Sequence, residues 1–186
     1  MADTVAVMNS GRIEQLGHPA DIYELPRTAF VANFLGQANL ITARTTSSGG
    51  EVRAEAHGVS FTLPLERSFA RGNDIIVGVR PEKLTVVDHY NAHLVPDASN
   101  RVTGRVTDVS YAGVSTQYVV RTGWGQDFIA FEQNMVVGDR CEVGDEVILH
   151  WSPAHTFGLE GSQDVTAGIP ATVVEETEVA STIGEQ

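Results

Sequence analysis

Two histidines four residues apart, His89 and His93, lie in the segment DHYNAHLVPDASN with Asp88 and Asp97 close by. On a helix that spacing would put both rings on one face, as a zinc site requires. Asn91 and Pro96 argue against a continuous helix, so the segment reads as an exposed excursion with two loop histidines. His150 and His155 flank Trp151-Ser152-Pro153-Ala154 and read as hydrogen-bonding turn residues. The one cysteine, Cys141, sits in VVGDRCEVGDEV between two Gly-Asp turns. A thiolate nucleophile needs a pocket and an orienting group. Asp139 and Glu142 beside Cys141 disfavour its ionisation, so a structural cysteine is expected. The chain shows no Ser-His-Asp signal and no glycosidase carboxylate pair. It contains neither GxxxxGK[ST] nor GxGxxG. It therefore lacks the backbone cradle, lysine and hydroxyl with which a phosphate loop holds nucleotide and magnesium. No catalytic, cofactor-binding or metal-binding residue is assigned on these grounds.

The elements that would position any site are short. Val5 and Val7 alternate with Ala6 and Met8. Asn9-Ser10-Gly11 forms a connection in which glycine supplies a positive φ, and Arg12 to Leu16 resumes. A hairpin is predicted, with strands at 4–8 and 12–16. Pro19 opens a short helix in HPADIYEL. PRTAFVANFLG carries a second, with Pro26 at the first helical position and Gly36 as terminator. Phe30 and Phe34, with Val31 and Leu35, make i,i+4 apolar pairs on adjoining faces. From Asn39 the period becomes strand-like. Strands are predicted near 40–45, 51–56, 61–65, 75–79, 84–87, 101–110, 116–121, 126–131, 146–151 and 156–159. Gly104 reads as a bulge. Ser47 to Gly50 reads as a turn. Many short strands at even spacing predict a β-barrel, either as two packed five-stranded units or as one elaborated unit.

Composition bounds the function classes. The chain has 24 acidic and 12 basic residues, a formal charge of −12, with 18 Gly and 7 Pro. Such a surface repels phosphate backbones and anionic lipid, so no nucleic-acid partner is expected. Apolar residues make up 42% of the chain, enough for a core. No apolar run reaches membrane-spanning length, so direct membrane insertion is not expected. A soluble intracellular chain is the reading, and one cysteine suits a reducing compartment. Five of the 24 acidic residues, and no Lys or Arg, follow Gly161. That stretch reads as a disordered tail.

The segment VAVMNSGRIEQLGHPADIYELPRTAFVANFLGQANLI resembles the exit from the ATPase domain of bacterial ABC-importer ATP-binding subunits of the polyamine, maltose and iron group. The matched features are Val7-Met8, Gly11-Arg12-Ile13, Gln15, Gly17, Pro19, Ile22-Tyr23, Pro26, Phe30-Val31-Ala32, Phe34, Gly36 and Asn39. VGVRPEKLTV, residues 77–86, resembles the signature of the transport-associated oligonucleotide-binding-like (TOBE) domain. RVTGRVTDVSYAGVSTQYVV is similar to that family's second repeat-like stretch, with Tyr111 and Gly113 at the turn. VGDEVILHWSPAHTFGLEG is similar to its closing segment, in the spermidine/putrescine branch.

The resemblance implies a mainly β protein. Residues 1–36 would be the C-terminal remnant of an α/β nucleotide-binding domain, 37–161 a TOBE-type β-barrel and 162–186 the acidic tail. Arg80, Pro81 and Glu82 would form a corner close to a regulatory surface. Tyr23, Pro26, Phe30, Phe34, Gly36 and Asn39 would pack the domain junction. ATP and magnesium would belong to the full-length subunit, whose motifs do not map onto this chain, so no ATPase activity is expected from it alone. The implied partners are a second ATP-binding subunit, forming a homodimer, and the transmembrane permease subunits. The implied place is the cytoplasmic face of the plasma membrane. A stand-alone module for a small oxyanion and a structural dimerisation module are the alternatives.

Overall fold

A computed structural model describes residues 2–47, 51–134 and 140–170. The chain divides into two compact units, one of residues 1–37 with 163–186 and one of residues 38–162.

In the first unit, β1 (Val5–Asn9) and β2 (Arg12–Gly17) form an antiparallel hairpin. Asn9 pairs with Arg12, so the loop is the two residues Ser10-Gly11 and not a three-residue connection. Both take positive φ, +48° and +79°, the geometry whose twist matches that of the flanking strands. Helix α1 (Pro19–Glu24) starts at proline as expected. Helix α2 spans Ala29–Phe34, three residues later than Pro26 predicts. Its N-cap is Thr28, whose Oγ1 accepts a hydrogen bond from Val31 N at 3.2 Å. A side-chain cap outweighs the preference of proline for the first turn. Val7, Ile22 and Val31 form this unit's small core, with Phe30 and Leu35 against it.

Among the described residues, the second unit contains ten strands in two five-stranded antiparallel sheets. The first five are β3 (Asn39–Ser47), β4 (Glu51–Ala56), β5 (Val59–Pro64), β6 (Asp74–Val79) and β7 (Thr85–Asp88). The second five are β8 (Asn100–Tyr111), β9 (Ser115–Thr122), β10 (Asp127–Gln133), β11 (Glu146–Trp151) and β12 (Phe157–Glu160). The sheet orders are β12-β6-β3-β4-β5 and β7-β11-β8-β9-β10. Strands β3–β7 and β8–β12 are thus two copies of one pattern, each copy's last strand pairing in the other copy's sheet. Both sheets feed one core, from Phe61, Ile75 and Val77 to Tyr118, Phe128, Leu149 and Trp151. The second of these sheets curls until its two edge strands, β10 and β7, approach each other.

Several local expectations change. β6 is buried on both faces, and Phe157 covers Gly78. Gly104 is not a bulge; the register shifts between Val106 and Asp108. Gly104 is instead a close approach, since a Cβ there would lie 2.6 Å from the carbonyl oxygen of Arg121. The polar excursion is a 3-10 segment, His89–Leu94, pinned at its start by Asp88 accepting from Tyr90 N at 2.7 Å. The tail expected from residue 162 begins with turns that hydrogen-bond to α2. Residues 48–50 of the predicted Ser-Gly turn and residues 171–186 of the tail lie outside the described residues.

Candidate functional site

The corner at Arg80 arises from its sequence. Proline at 81 holds Arg80 extended, at φ −76° and ψ 144°. Pro81–Lys83 then makes one 3-10 turn, closed by Lys83 N donating to Arg80 O at 3.0 Å. Leu84 and Val86 return to the core, 3% and 8% exposed. Arg80 is itself 2% exposed, an interior cation and not a surface contact. Ser152-Pro153-Ala154-His155 makes the matching turn after β11 in the second copy.

Glu82 reaches an open cleft of about 1010 Å³, lined also by Tyr111, Val114, Gln117, Phe131 and Glu132. Arg140 lies over the Tyr111 ring, 5.1 Å from its centroid. Asn134 holds the hairpin tip through Gly113 O, Val114 O and Thr116 Oγ1. Glu132 also lines a second cleft of about 380 Å³, with Asp88, Tyr90, Leu94, Arg140 and Cys141. Burial raises the Glu132 pKa, while the Val86 amide and the Tyr118 hydroxyl pull it back. The Tyr118 pKa is raised by burial first and by Glu132 second. Burial likewise pushes the Cys141 thiol up to about 11, with Asp88, Glu132 and Asp145 adding to it. The thiolate is disfavoured as expected, but the causes are burial and these carboxylates. Asp139 lies outside the described residues. A protonated thiol is a poor nucleophile and metal ligand. Among the described residues no three His, Cys, Asp or Glu side chains gather as a metal site.

A third cleft, of about 510 Å³, is lined by Arg121 on β9, Arg105 on β8 and Glu146 on β11, part of a row of charges that Asp127 on β10 extends. Asp127, Arg121, Arg105 and Glu146 succeed one another in register. Each arginine is bound by its flanking carboxylate, so the row neutralises itself. The aromatic residues do not form a platform for bases. Phe61 and Trp151 stack inside the core, and Trp124 stacks on His57 at 4.9 Å.

The predicted junction residues separate. Tyr23, Pro26, Phe30, Phe34 and Gly36 all lie in the first unit. Pro26 is buried, the rings of Phe30 and Phe34 stack at 5.5 Å, and Phe34 is 57% exposed. Gly36 has φ +148° and faces the Tyr23 ring. Asn39 works elsewhere, inside the β unit. Its amide donates to Ile129 O and accepts from Ile129 N, both at 2.8 Å, which closes the free edge of β10. Asn100 does the same for the edge of β5 at Thr62, again at 2.8 Å twice. Both asparagines open a first strand, Asn39-Leu40-Ile41 and Asn100-Arg101-Val102. That repeated position is the one sequence signal for Asn100, which was not among the expected site residues. Gln15 was matched only as a motif residue; its amide bridges Leu25 O and Arg27 N and so ties β2 to the segment between the helices.

Residues 77–159 match the TOBE domain family. The spermidine/putrescine import ATP-binding protein PotA of Thermobifida fusca is 40% identical over 164 residues, covering 87% of this chain and 41% of that protein. Its counterpart in Acidothermus cellulolyticus is 38% identical over 163 residues, covering 86% and 41%. The chain thus spans about two fifths of the length of the curated relatives it matches. Among solved structures, the cytoplasmic molybdate-binding protein ModG with molybdate bound shares the fold, with a TM-score of 0.54. That likeness covers 71% of this chain and 96% of that one at 14% identity. The β unit thus contains a match to the TOBE domain, and the chain is similar, over most of its length, to part of the spermidine/putrescine import ATP-binding proteins.

Proposed function

We propose that this chain is the accessory, regulatory region of the ATP-binding subunit of an ABC importer for spermidine and putrescine. Homology that runs through both units, and not through the TOBE domain alone, carries this reading. ATP and magnesium would be held, and ATP hydrolysed, by residues of the longer subunit. The first unit supports such a neighbour. On one face of the hairpin, Ala6 pairs with Leu16 and Met8 with Ile13. Met8, Ile13 and Leu16 are 55%, 59% and 62% exposed, an apolar face of the kind that packs against further protein. The partners would be the permease subunits and a second ATP-binding subunit, at the cytoplasmic face of the membrane. Glu82, the exposed residue of the Arg80–Glu82 corner, and its cleft would be a regulatory surface. Glu82 and Glu132 in that cleft disfavour an oxyanion there.

The test is uptake of labelled spermidine and putrescine by the source organism after the codons for residues 38–162 are removed. Lost or deregulated uptake of both is expected. Unchanged rates and unchanged saturation would overturn the reading.

A further inference from the structure

The β unit leaves the first unit after Gln37, and the chain returns to that unit at Gln163. The returning segment is tied to α2 by side chains that look, in sequence, like tail or helix surface. Ala29 N, the first amide of α2, donates to Gln163 Oε1 at 2.7 Å. Asn33, one turn on and 8% exposed, donates through one amide group to Val165 O and Ala167 O, both at 2.9 Å. Gly168 has φ +86°, and a Cβ on it would lie 2.5 Å from Phe30 O. Only glycine lets the chain pass there. The segment is also organised within itself. Asp164 Oδ1 accepts from Thr166 N and Oγ1, and Asp164 O accepts from Ala167 N.

An isolated six-residue helix is unstable in water. These contacts supply part of what α2 needs, and in return they fix the returning chain. We propose that residues 163–170 are a strap that clasps α2 as one cooperative element. This inference does not depend on the transport reading.

The test uses the full chain and amide hydrogen exchange. Gln163→Ala removes the acceptor of Ala29 N, and at least tenfold faster exchange at Ala29 is expected. Asn33→Ala and Gly168→Val do not touch that acceptor. Each should nonetheless speed exchange at Ala29 at least threefold, while the core amides of Ile76 and Val77 in β6 keep their rates. Unchanged exchange at Ala29 in both of these variants would overturn the strap and leave a local cap only. Equal acceleration in β6 would overturn it too, since the residues would then support the whole fold.

Discussion

Replacing Asn100 by alanine tests how the two sheets of the β unit are joined. The Asn100 side chain is 4% exposed and makes three hydrogen bonds, to Thr62 N and Thr62 O at 2.8 Å and to Thr156 Oγ1 at 2.9 Å. Thr62 lies on β5, an edge strand, so its outward amide and carbonyl have no ladder partner. Alanine leaves both facing an apolar gap. Each buried polar group left unpaired costs about 1–3 kcal/mol, so a loss of about 3–5 kcal/mol is expected. That is a large share of the roughly 5–15 kcal/mol that holds a domain folded. With a urea slope of roughly 2 kcal/mol per molar, the midpoint should fall by about 2 M. Trp151 is a built-in reporter, because its Nε1 donates to the same Thr156 Oγ1 at 2.9 Å. Its fluorescence should track the transition. Asn39→Ala loses two bonds, to Ile129, and should cost less. A midpoint shift below about 0.5 M for Asn100→Ala would refute the idea that this amide closes the sheet edge.

Gly78→Ala should destabilise the β unit by about 1–3 kcal/mol in urea melts, because the new methyl would enter the Phe157 ring, whereas Gly123→Ala, with nothing within 4 Å, should cost under about 1 kcal/mol. The Glu132 pKa is raised in the folded state, so its contribution is present below the unfolded value of 4.5 and is lost as pH rises through the folded value. Glu132→Gln should therefore gain stability relative to the parent as pH rises from 4 to 7, and a constant difference across that range would refute the argument. With its pKa pushed up to about 11, Cys141 should react with iodoacetamide at pH 8 roughly a hundredfold more slowly in the folded chain than in urea, read by mass. Replacing Met8, Ile13 and Leu16 together by threonine should reduce self-association at high concentration, measured by light scattering, without lowering the melting midpoint of the β unit.

The β class, the hairpin, the strand count in the second unit and the Arg80–Pro81 corner were all legible in the sequence. Each depends on a signal that acts within a few residues. Alternation marks strands, glycine marks positive φ, and proline extends the residue before it. The resemblance reached further because VGVRPEKLTV and FVANFLG are long combined patterns. The start of α2 was misplaced because Pro26 and Thr28 both signal a helix start, and only the bond to Val31 N decides between them.

Tertiary structure alone decided which strands pair. Alternation is the same whether β7 joins its own half or the other, so the exchange of last strands left no local trace. The same holds for Asn39, Asn100 and Asn33. A polar residue at a strand start or on a helix face looks solvent-exposed in sequence. These three are buried because their acceptors arrive from 90, 38 and 132 or more residues away. The sequence by itself determined the elements and the acidic surface. Long-range hydrogen bonds, formed only when distant backbone edges meet, determined how those elements close into sheets, clefts and a strap.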